Sequence, residues 1–386
     1  MARFFSTLLA LIALGVFPAI ATPPPPSSIS TFNPFTGKTF FVNSVRAAAV
    51  HKAANQIAAS GDFALATSAH KVAQVSTFHW VDKTAAIPSI TTWLNEARQA
   101  QIRTGKSQVF QLVVYNLPDR DCSAKASSGE LEYANGGEEK YKSFIHQVRQ
   151  RLAAFPDIRI VIQLETDAIG NMVTGLSVPK CANAAPAQKR SYAYAIANLQ
   201  LPNVALYLDG AHSAWLGWPG NIEGAANNLI EIVNAAKALN PRATVRGVST
   251  NVSNYNGLGN QEQTGYDELV YVQNLAVLLK AQGWDAHFIV DQGRSGNQVA
   301  LRSGGDWCNF KMAGFGPRPS TNTPSELIDA IVWVKPGGDS DGTSDTTAER
   351  FDEACGSSTS IIPSPEAGAW NQLAFISLVK QANPAF

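Results

Sequence analysis

Acidic side chains follow one predicted β-strand after another in this chain. The segment FQLVVYNLPDRDC (110–122) is an apolar run that ends at a proline, which cannot donate to a sheet, and two aspartates come next. The same pattern recurs at Asp82, Asp119, Asp121, Glu165, Asp167, Asp209, Asp291, Asp339 and Asp341. Neighbouring carboxyl groups raise one another's pKa, so that one can donate a proton while another accepts one. We therefore expect an acid–base site at these strand ends.

Seven apolar segments supply the strands that would position these acids. They are FHWVD (78–82), FQLVVYNLP (110–118), IRIVIQLE (158–165), VALYLDG (204–210), TVRGVSTN (244–251), DAHFIVD (285–291) and AIVWVKPG (330–337). Helical patterns lie between them. Tyr141, Phe144, Ile145, Val148, Leu152 and Phe155, for example, share one face at a spacing of 3.6 residues. Alternating β and α elements predict a parallel sheet, either open and doubly wound or closed into a barrel. The acidic strand ends favour the barrel, whose active sites form at that rim.

Tryptophans accompany the acidic strand ends. Trp80 lies in the first strand, Trp215 and Trp218 follow Asp209, and Trp307 precedes a cysteine. Indole rings stack on the C–H faces of sugars, while carboxylates bond to sugar hydroxyls. This combination is typical of a carbohydrate site. We expect the other four tryptophans, Trp93, Trp284, Trp333 and Trp370, to belong to the core.

Composition and the amino terminus indicate the cellular setting. The 386 residues carry 30 basic and 30 acidic side chains, so no basic excess points to nucleic acid or an anionic membrane. Residues 1–21 resemble a secretory signal peptide, with Arg3, an apolar run and Ala19-Ile20-Ala21. Residues 22–31 predict a Pro/Ser-rich tether, and 32–386 a single catalytic domain. We expect a secreted, extracellular monomer.

Four cysteines remain in the predicted mature chain: Cys122, Cys181, Cys308 and Cys355. In an oxidising compartment an even number predicts two disulfides, and four cysteines allow three pairings. No Cys or His pair has the spacing of a zinc site, so we expect no metal. We expect no other cofactor either.

The ordered motifs VVYNLPDRDC, LETDAIGN, YLDGAHSAWLGWPGN, GDWCN, GFGPRPSTNT and VKPGGDSDGTS resemble glycoside hydrolase family 6, the fungal cellobiohydrolases and endoglucanases. The resemblance extends from about Asn33 to the carboxyl terminus. It implies a distorted seven-stranded, TIM-barrel-like (β/α) barrel. It also implies inverting hydrolysis of cellulose or cello-oligosaccharides.

The resemblance also implies roles for individual residues. Asp167 matches the general acid, Asp121 the aspartate that keeps this acid protonated, and Asp341 the proposed base. Tyr115 matches a tyrosine that distorts the sugar at the cleavage point, and Ser127 a serine that helps to hold the attacking water. The implied substrate contacts are Trp80, Asp82, Asp209, His212, Trp215, Trp218, Asn251, Trp307, Lys335 and Asp339.

The sequence departs from the usual family pattern in four ways. Thr166 replaces a proline before the acid, and Gly210-Ala211 reverses an Ala-Gly pair. Asn116 replaces an aspartate, and Asp339 is one methylene shorter than the usual glutamate. Asn251 also begins an Asn-Val-Ser sequon, although its match to a cleft residue argues against glycosylation.

Three activities are consistent with the sequence. Pairing the cysteines as Cys122–Cys181 and Cys308–Cys355 would tie adjacent loops over the rim and enclose a tunnel, which favours a cellobiohydrolase acting from a chain end. The alternatives are an open-cleft endoglucanase of the same fold and a sugar-binding protein with little catalysis. All four cysteines lie inside the barrel sequence, so we expect no cellulose-binding module and poor attack on crystalline cellulose.

Overall fold

All strands of the central sheet are parallel, and they occupy seven positions. The computed structural model describes residues 32–259, 267–297 and 306–386. Its strands are β1 (Thr39–Phe40), β2 (His79–Val81), β3 (Gln108–Val114), β4 (Arg159–Leu164), β5 (Val204–Asp209), β6 (Gly247–Thr250), β7 (His287–Asp291) and β8 (Ile328–Val332). Strands β1 and β2 share one edge of β3, against its start and its end respectively. From β3 to β8, each strand pairs with the next in sequence. The seven predicted strands are confirmed, and the two-residue β1 was not predicted.

The sheet curls into a distorted barrel, as predicted. No ladder joins β2 to β8 among the described strands. Individual hydrogen bonds connect these two edges. The backbone N–H of Phe78 donates to the carbonyl of Trp333 at 3.1 Å, and Trp80 Nε1 donates to the carbonyl of Val334 at 2.9 Å. In β3, the side chains of Val109 and Val113 pack inside the barrel, whereas those of Phe110, Leu112 and Val114 pack under the helices. Both faces are therefore apolar, as in other parallel sheets.

Helices surround this sheet. They are α1 (Ser44–Ala59), α2 (Phe63–Val72), α3 (Ser89–Thr104), α4 (Gly137–Ala153), α5 (Ala168–Thr174), α6 (Pro179–Asn198), α7 (Ser213–Leu216), α8 (Ile222–Leu239), α9 (Glu268–Ala281) and α10 (Gln372–Lys380). The predicted apolar face of α4 is buried. Helices α1, α2 and α10 form a separate cluster around Phe315, Trp333 and Phe375.

Of the tryptophans predicted in the core, Trp284 and Trp333 are buried, while Trp93 and Trp370 are partly buried against core clusters. No helix among the described residues is long and apolar enough to cross a bilayer. The predicted signal peptide and tether lie outside the described residues.

Candidate active site

A cavity of about 550 Å³ opens at the carboxyl ends of the strands. Most of the predicted site residues line it: Trp80, Tyr115, Asp121, Ser127, Asp167, His212, Trp215, Trp218, Trp307, Lys335 and Asp341. They come from β2 itself, from the segments that follow β3, β4, β5 and β8, and from the segment between β7 and β8. The structure thus brings together residues that are far apart in the sequence.

Asp167 is held in a position that favours its protonated form. The residue has φ = 64° in the turn after β4, and its backbone N–H donates to Asp209 Oδ2 at 2.8 Å. Burial raises the pKa of Asp167 well above its ordinary value, and the negative charges of Asp209 and Asp121 raise it further. A carboxyl group in this state can act as a general acid near neutral pH.

Asp121 and Ser127 are tied together in the loop after β3. Asp121 has φ = 55°, and its Oδ2 accepts the backbone N–H of Ser127 at 2.7 Å. Burial also raises the pKa of Asp121. Arg120 shapes this loop, because its guanidinium lies 4.0 Å from the centre of the Tyr115 ring and its Nε donates to the carbonyl of Ser127 at 3.1 Å.

Asp341 lies in surroundings that favour its ionised form. Its Oδ2 accepts bonds from Arg294 Nη1 at 2.7 Å, Tyr255 Oη at 2.8 Å and the backbone N–H of Asn309 at 2.8 Å. Lys335 Nζ lies 3.4 Å from its Oδ1. Burial opposes ionisation, but Arg294 and Lys335 outweigh it and hold the pKa of Asp341 below its ordinary value.

The carboxyl groups of Glu165, Asp209 and Asp291 are buried beneath the cavity wall. We call them the buried carboxyl layer. Burial raises the pKa of Glu165 and of Asp209 to about 7 and that of Asp291 to about 6. Together they accept the backbone N–H groups of Asn116, Leu117, Asp167, Ala211, Ser253, Gly293 and Lys335. Buried N–H groups need such partners. These acids therefore fix the turns that carry the cavity residues.

Four predicted substrate contacts do not line the cavity. Asp82 offers its backbone carbonyl to Arg120 at 2.9 Å, and Asp209 is buried beneath Asp167. Asp339 forms an ion pair with Arg46 at 2.7 Å. The fourth, Asn251, is buried as well. Asp209, Asn251 and Asp339 each direct a polar side-chain atom at a neighbouring protein group. In this geometry they position other residues.

The side chain of Asn251 connects neighbouring loops through hydrogen bonds. Its Nδ2 donates to the carbonyls of Asn256 at 3.1 Å and Asp291 at 2.7 Å and to Ser295 Oγ at 3.1 Å. An amide nitrogen with three buried acceptors leaves no space for a glycan. The structure therefore argues against glycosylation at this sequon.

The departures from the family pattern are accommodated locally. Thr166 Oγ1 donates to Gln163 Oε1 at 3.1 Å, and Gln163 Nε2 donates to Asp209 at 3.3 Å, so Thr166 joins the network under the acid. A Cβ at Gly210 would lie 2.4 Å from a methyl group of Val248, which explains the glycine there.

Tryptophans form the apolar parts of the wall. Trp215 lies flat on Gly170, where an added Cβ would come within 2.5 Å of the ring, and its Nε1 donates to Thr174 at 2.7 Å. The rings of Trp80 and Tyr115 pack edge to face, with 5.9 Å between their centroids. Trp218 is 41% exposed and lies nearer the solvent. Fixed rings at several points along a cavity suit a chain of sugars.

Two disulfides hold the loops above the cavity. The structure contains Cys122–Cys181 and Cys308–Cys355, the predicted pairing. Ala126, from the loop of Asp121, is 1% exposed and packs on the second disulfide. The backbone N–H of Lys125 also donates to Asp352 at 3.3 Å. The loop after β3 therefore reaches across the opening to the loops after β7 and β8. We call this contact the roof.

Sequence reasoning missed the groups that keep Asp341 ionised. Arg294, Tyr255 and Asn309 come from irregular segments whose spacing has no period. Arg294 does stand three residues beyond Asp291 at the end of β7. A lone cation at an acidic rim was the signal that could have identified it. Among the described residues, no group of three or more His, Cys, Asp or Glu is arranged to hold a metal ion.

The chain is similar to a known protein family over most of its length. The sequence model of Glycosyl hydrolases family 6 matches residues 35–382. Exoglucanase 3 of Agaricus bisporus is 47% identical over 360 residues, which cover 92% of this chain and 80% of that protein. The 1,4-β-D-glucan cellobiohydrolase C of Emericella nidulans is 44% identical over 363 residues, covering 92% and 79%.

Among solved structures, cellobiohydrolase II (Cel6A) from Humicola insolens, in complex with glucose and cellotetraose, superposes with a TM-score of 0.87 at 43% identity. The match covers 92% of this chain and all of that one. Because a family model matches most of the chain and relatives are more than 40% identical over most of its length, this protein belongs to glycosyl hydrolase family 6.

Proposed function

We propose that this protein is a secreted cellobiohydrolase that cleaves β-1,4-glucans with inversion and releases cellobiose from the non-reducing end. One observation carries the proposal: a single cavity contains Asp167 with a raised pKa and Asp341 with a lowered one. Inverting glycosidases need this asymmetry, since one carboxyl group protonates the leaving oxygen while another activates water.

Asp167 is the general acid in this proposal. It enters the reaction protonated and gives its proton to the glycosidic oxygen as the bond to the anomeric carbon breaks. Asp121 keeps Asp167 protonated through its charge and stabilises the positive charge that develops on the sugar ring. Tyr115, fixed between Arg120 and Trp80, restricts the space for the sugar and favours a distorted ring.

Asp341 acts on the water. Its low pKa keeps it ionised, so it can accept a proton from a water molecule on the opposite face of the sugar. Ser127, fixed through its backbone to Asp121, is placed to help orient that water. Lys335 lines the same wall and neutralises Asp341 without taking its place as a base.

Glucan binding rests on the tryptophans, His212 and Lys335. Solved relatives with p-nitrophenyl β-D-cellotrioside and with cellotetraose support a cello-oligosaccharide as the substrate class. The names of the relatives, exoglucanase and cellobiohydrolase, and the roof over the cavity support attack from a chain end over an open endo-acting cleft. We also propose that the protein acts as a monomer without a cofactor.

Hydrolysis of cellotetraose and of carboxymethylcellulose tests the proposal. We expect cellobiose as the main early product, with the new reducing end formed as the α-anomer in proton NMR spectra. We expect the viscosity of carboxymethylcellulose to fall slowly relative to the reducing sugar released. Early β-anomer would refute inversion, and rapid loss of viscosity with longer products would mean endo attack. Binding without product release would mean a sugar-binding protein.

A further inference from the structure

Arg46 lies outside the cavity and yet is connected to its base. It is the third residue of α1, and its backbone N–H donates to the helix cap Asn43 at 3.2 Å. The cap side chain in turn donates to the carbonyl of Phe78 beside β2 at 3.1 Å. The start of α1 is thus fixed to the barrel. From this position Arg46 Nη2 reaches Asp339 Oδ2 at 2.7 Å.

The Arg46–Asp339 pair is not an ordinary surface ion pair. Arg46 is 28% exposed and Asp339 only 6%, and Asp339 Oδ1 has no hydrogen-bond partner among the described residues. Removing one partner of a buried pair leaves the other charge without compensation. Asp339 therefore depends on Arg46 more than the exposed Asp157 depends on Arg98, whose side chains are 43% and 31% exposed.

Asp339 also stands two residues before Asp341. The charged groups around this turn are Asp339, Asp341, Arg46, Lys335 and Arg294. Lys335 forms its ion pair with Asp341, at 3.4 Å, and its Nζ also donates to the carbonyl of Ser340 at 3.3 Å. Arg46 thus forms its ion pair with Asp339, whereas Arg294 and Lys335 form theirs with Asp341.

We infer that Arg46 is a positioning residue for hydrolysis. Because Arg46 pairs with Asp339, Lys335 remains paired with Asp341. Without Arg46, an ionised Asp339 would compete with Asp341 for the same ammonium group. Arg46 does not line the cavity, so we expect its effect on hydrolysis to pass through Asp339. The inference rests on the proposed role of Asp341 as the base.

The dependence on pH follows from Asp339. Burial raises its pKa to about 6, with Arg46, Lys335 and Arg294 acting in the opposite direction and Asp341 reinforcing the rise. Below this pH, Asp339 is largely neutral and competes little for Lys335. Above it, Asp339 is charged and Arg46 matters. Because Arg46 lowers this pKa, its loss raises the pKa of Asp339 further, and kcat should fall mainly at pH values above about 6.

The test is a double-mutant cycle of Arg46→Gln and Asp339→Asn, with kcat and KM measured on cellotetraose. We expect Arg46→Gln to lower kcat about fivefold near pH 7.5 and less than about twofold near pH 4.5. Arg46→Lys should restore most of the loss. In an Asp339→Asn background, Arg46→Gln should have almost no further effect. Arg98→Gln, which removes an ion pair remote from the cavity, is the matched control and should leave the pH profile unchanged.

An equal loss at both pH values, or the same loss in the Asp339→Asn background, would overturn the inference and assign Arg46 to the stability of α1. Thermal midpoints provide a readout independent of activity: Arg46→Gln should lower the midpoint more at pH 7.5 than at pH 4.5, and Asp339→Asn should remove this difference. If the wild-type enzyme releases no sugar, the proposed function fails, while the midpoints still decide whether Arg46 and Asp339 are coupled.

Discussion

Removing the Cys308–Cys355 disulfide should open the roof. We expect the double variant Cys308→Ser/Cys355→Ser to remain folded but to shift from chain-end attack towards internal cleavage. The bridge closes a loop with a sequence separation of 47 residues. The chain-entropy relation gives a stabilisation of about 4 kcal/mol for a loop of that length, within the range that a domain of ordinary stability can lose. The variant also removes the disulfide against which Ala126 packs, and this weakens the contact that forms the roof.

Two measurements separate stability from the mode of attack. Urea unfolding should show the loss of about 4 kcal/mol. Viscosity of carboxymethylcellulose should fall faster per reducing end released than with the wild type. A second variant, Ala126→Asp, keeps both disulfides but places a charge in a contact that is 1% exposed, so it should open the roof without removing a covalent link.

The other disulfide is the matched control. Cys122–Cys181 spans 59 residues, so its removal should also cost about 4 kcal/mol. Removing Cys122–Cys181 keeps the Cys308–Cys355 bridge on which Ala126 packs. However, Cys122 is adjacent to Asp121. We therefore expect lower kcat with little change in the ratio of viscosity loss to reducing sugar. If both the Cys308–Cys355 variant and Ala126→Asp keep the wild-type ratio, the roof does not determine the mode of attack.

Three further predictions concern the acid, the buried layer and one strained turn. Asp167→Asn should lower kcat on cellotetraose by about 10²- to 10⁴-fold and spare substrates with activated leaving groups, because only departure of a poor leaving group needs a proton; equal losses on both would contradict its role. Ala211→Gly should raise the free energy of unfolding by up to about 1 kcal/mol in urea titrations, since Ala211 has φ = 53°, and a loss would contradict the strain. Unfolding free energy should also fall from about pH 4.5 to 7.5, because the buried carboxyl groups keep protons in the folded protein that the unfolded chain has released; greater stability at the higher pH would refute this. The groups are Glu165 and Asp209, with a pKa of about 7, and Asp291 and Asp339, with a pKa of about 6.

The strands and the main acids could be predicted because they follow simple periodic rules. Apolar runs of five to nine residues separated by helical patterns identify parallel strands, and the carboxyl ends of such strands meet at one rim. That argument placed Asp121 and Asp341 near each other, although they are far apart in sequence. It also placed Trp80 beside them. The cysteine pairing followed from the same strand order.

The direction of each side chain at the rim could not be predicted. Glu165 and Asp167 are only two residues apart, yet Glu165 points to the main chain of Asn116 and Leu117 while Asp167 faces the cavity. Both have positive φ values, 55° and 64°. Left-handed backbone at a residue other than glycine is set by the surrounding contacts, not by local propensity. The sequence therefore could not show that Asp209 lies buried below the cavity wall.

The buried carboxyl layer connects catalysis with stability. The proposed general acid, Asp167, must keep its proton at the working pH, and burial and the charges of Asp209 and Asp121 disfavour its ionised form. The Asp209 carboxyl group that raises this pKa also fixes the turn, by accepting the Asp167 N–H. Replacing Asp209 with an apolar residue would leave that N–H without an acceptor and lower the pKa of the acid at the same time. Because Glu165, Asp209 and Asp291, whose pKa values are raised, contribute less stability as the pH rises, the arrangement that favours a protonated Asp167 also makes the fold more stable under acidic conditions.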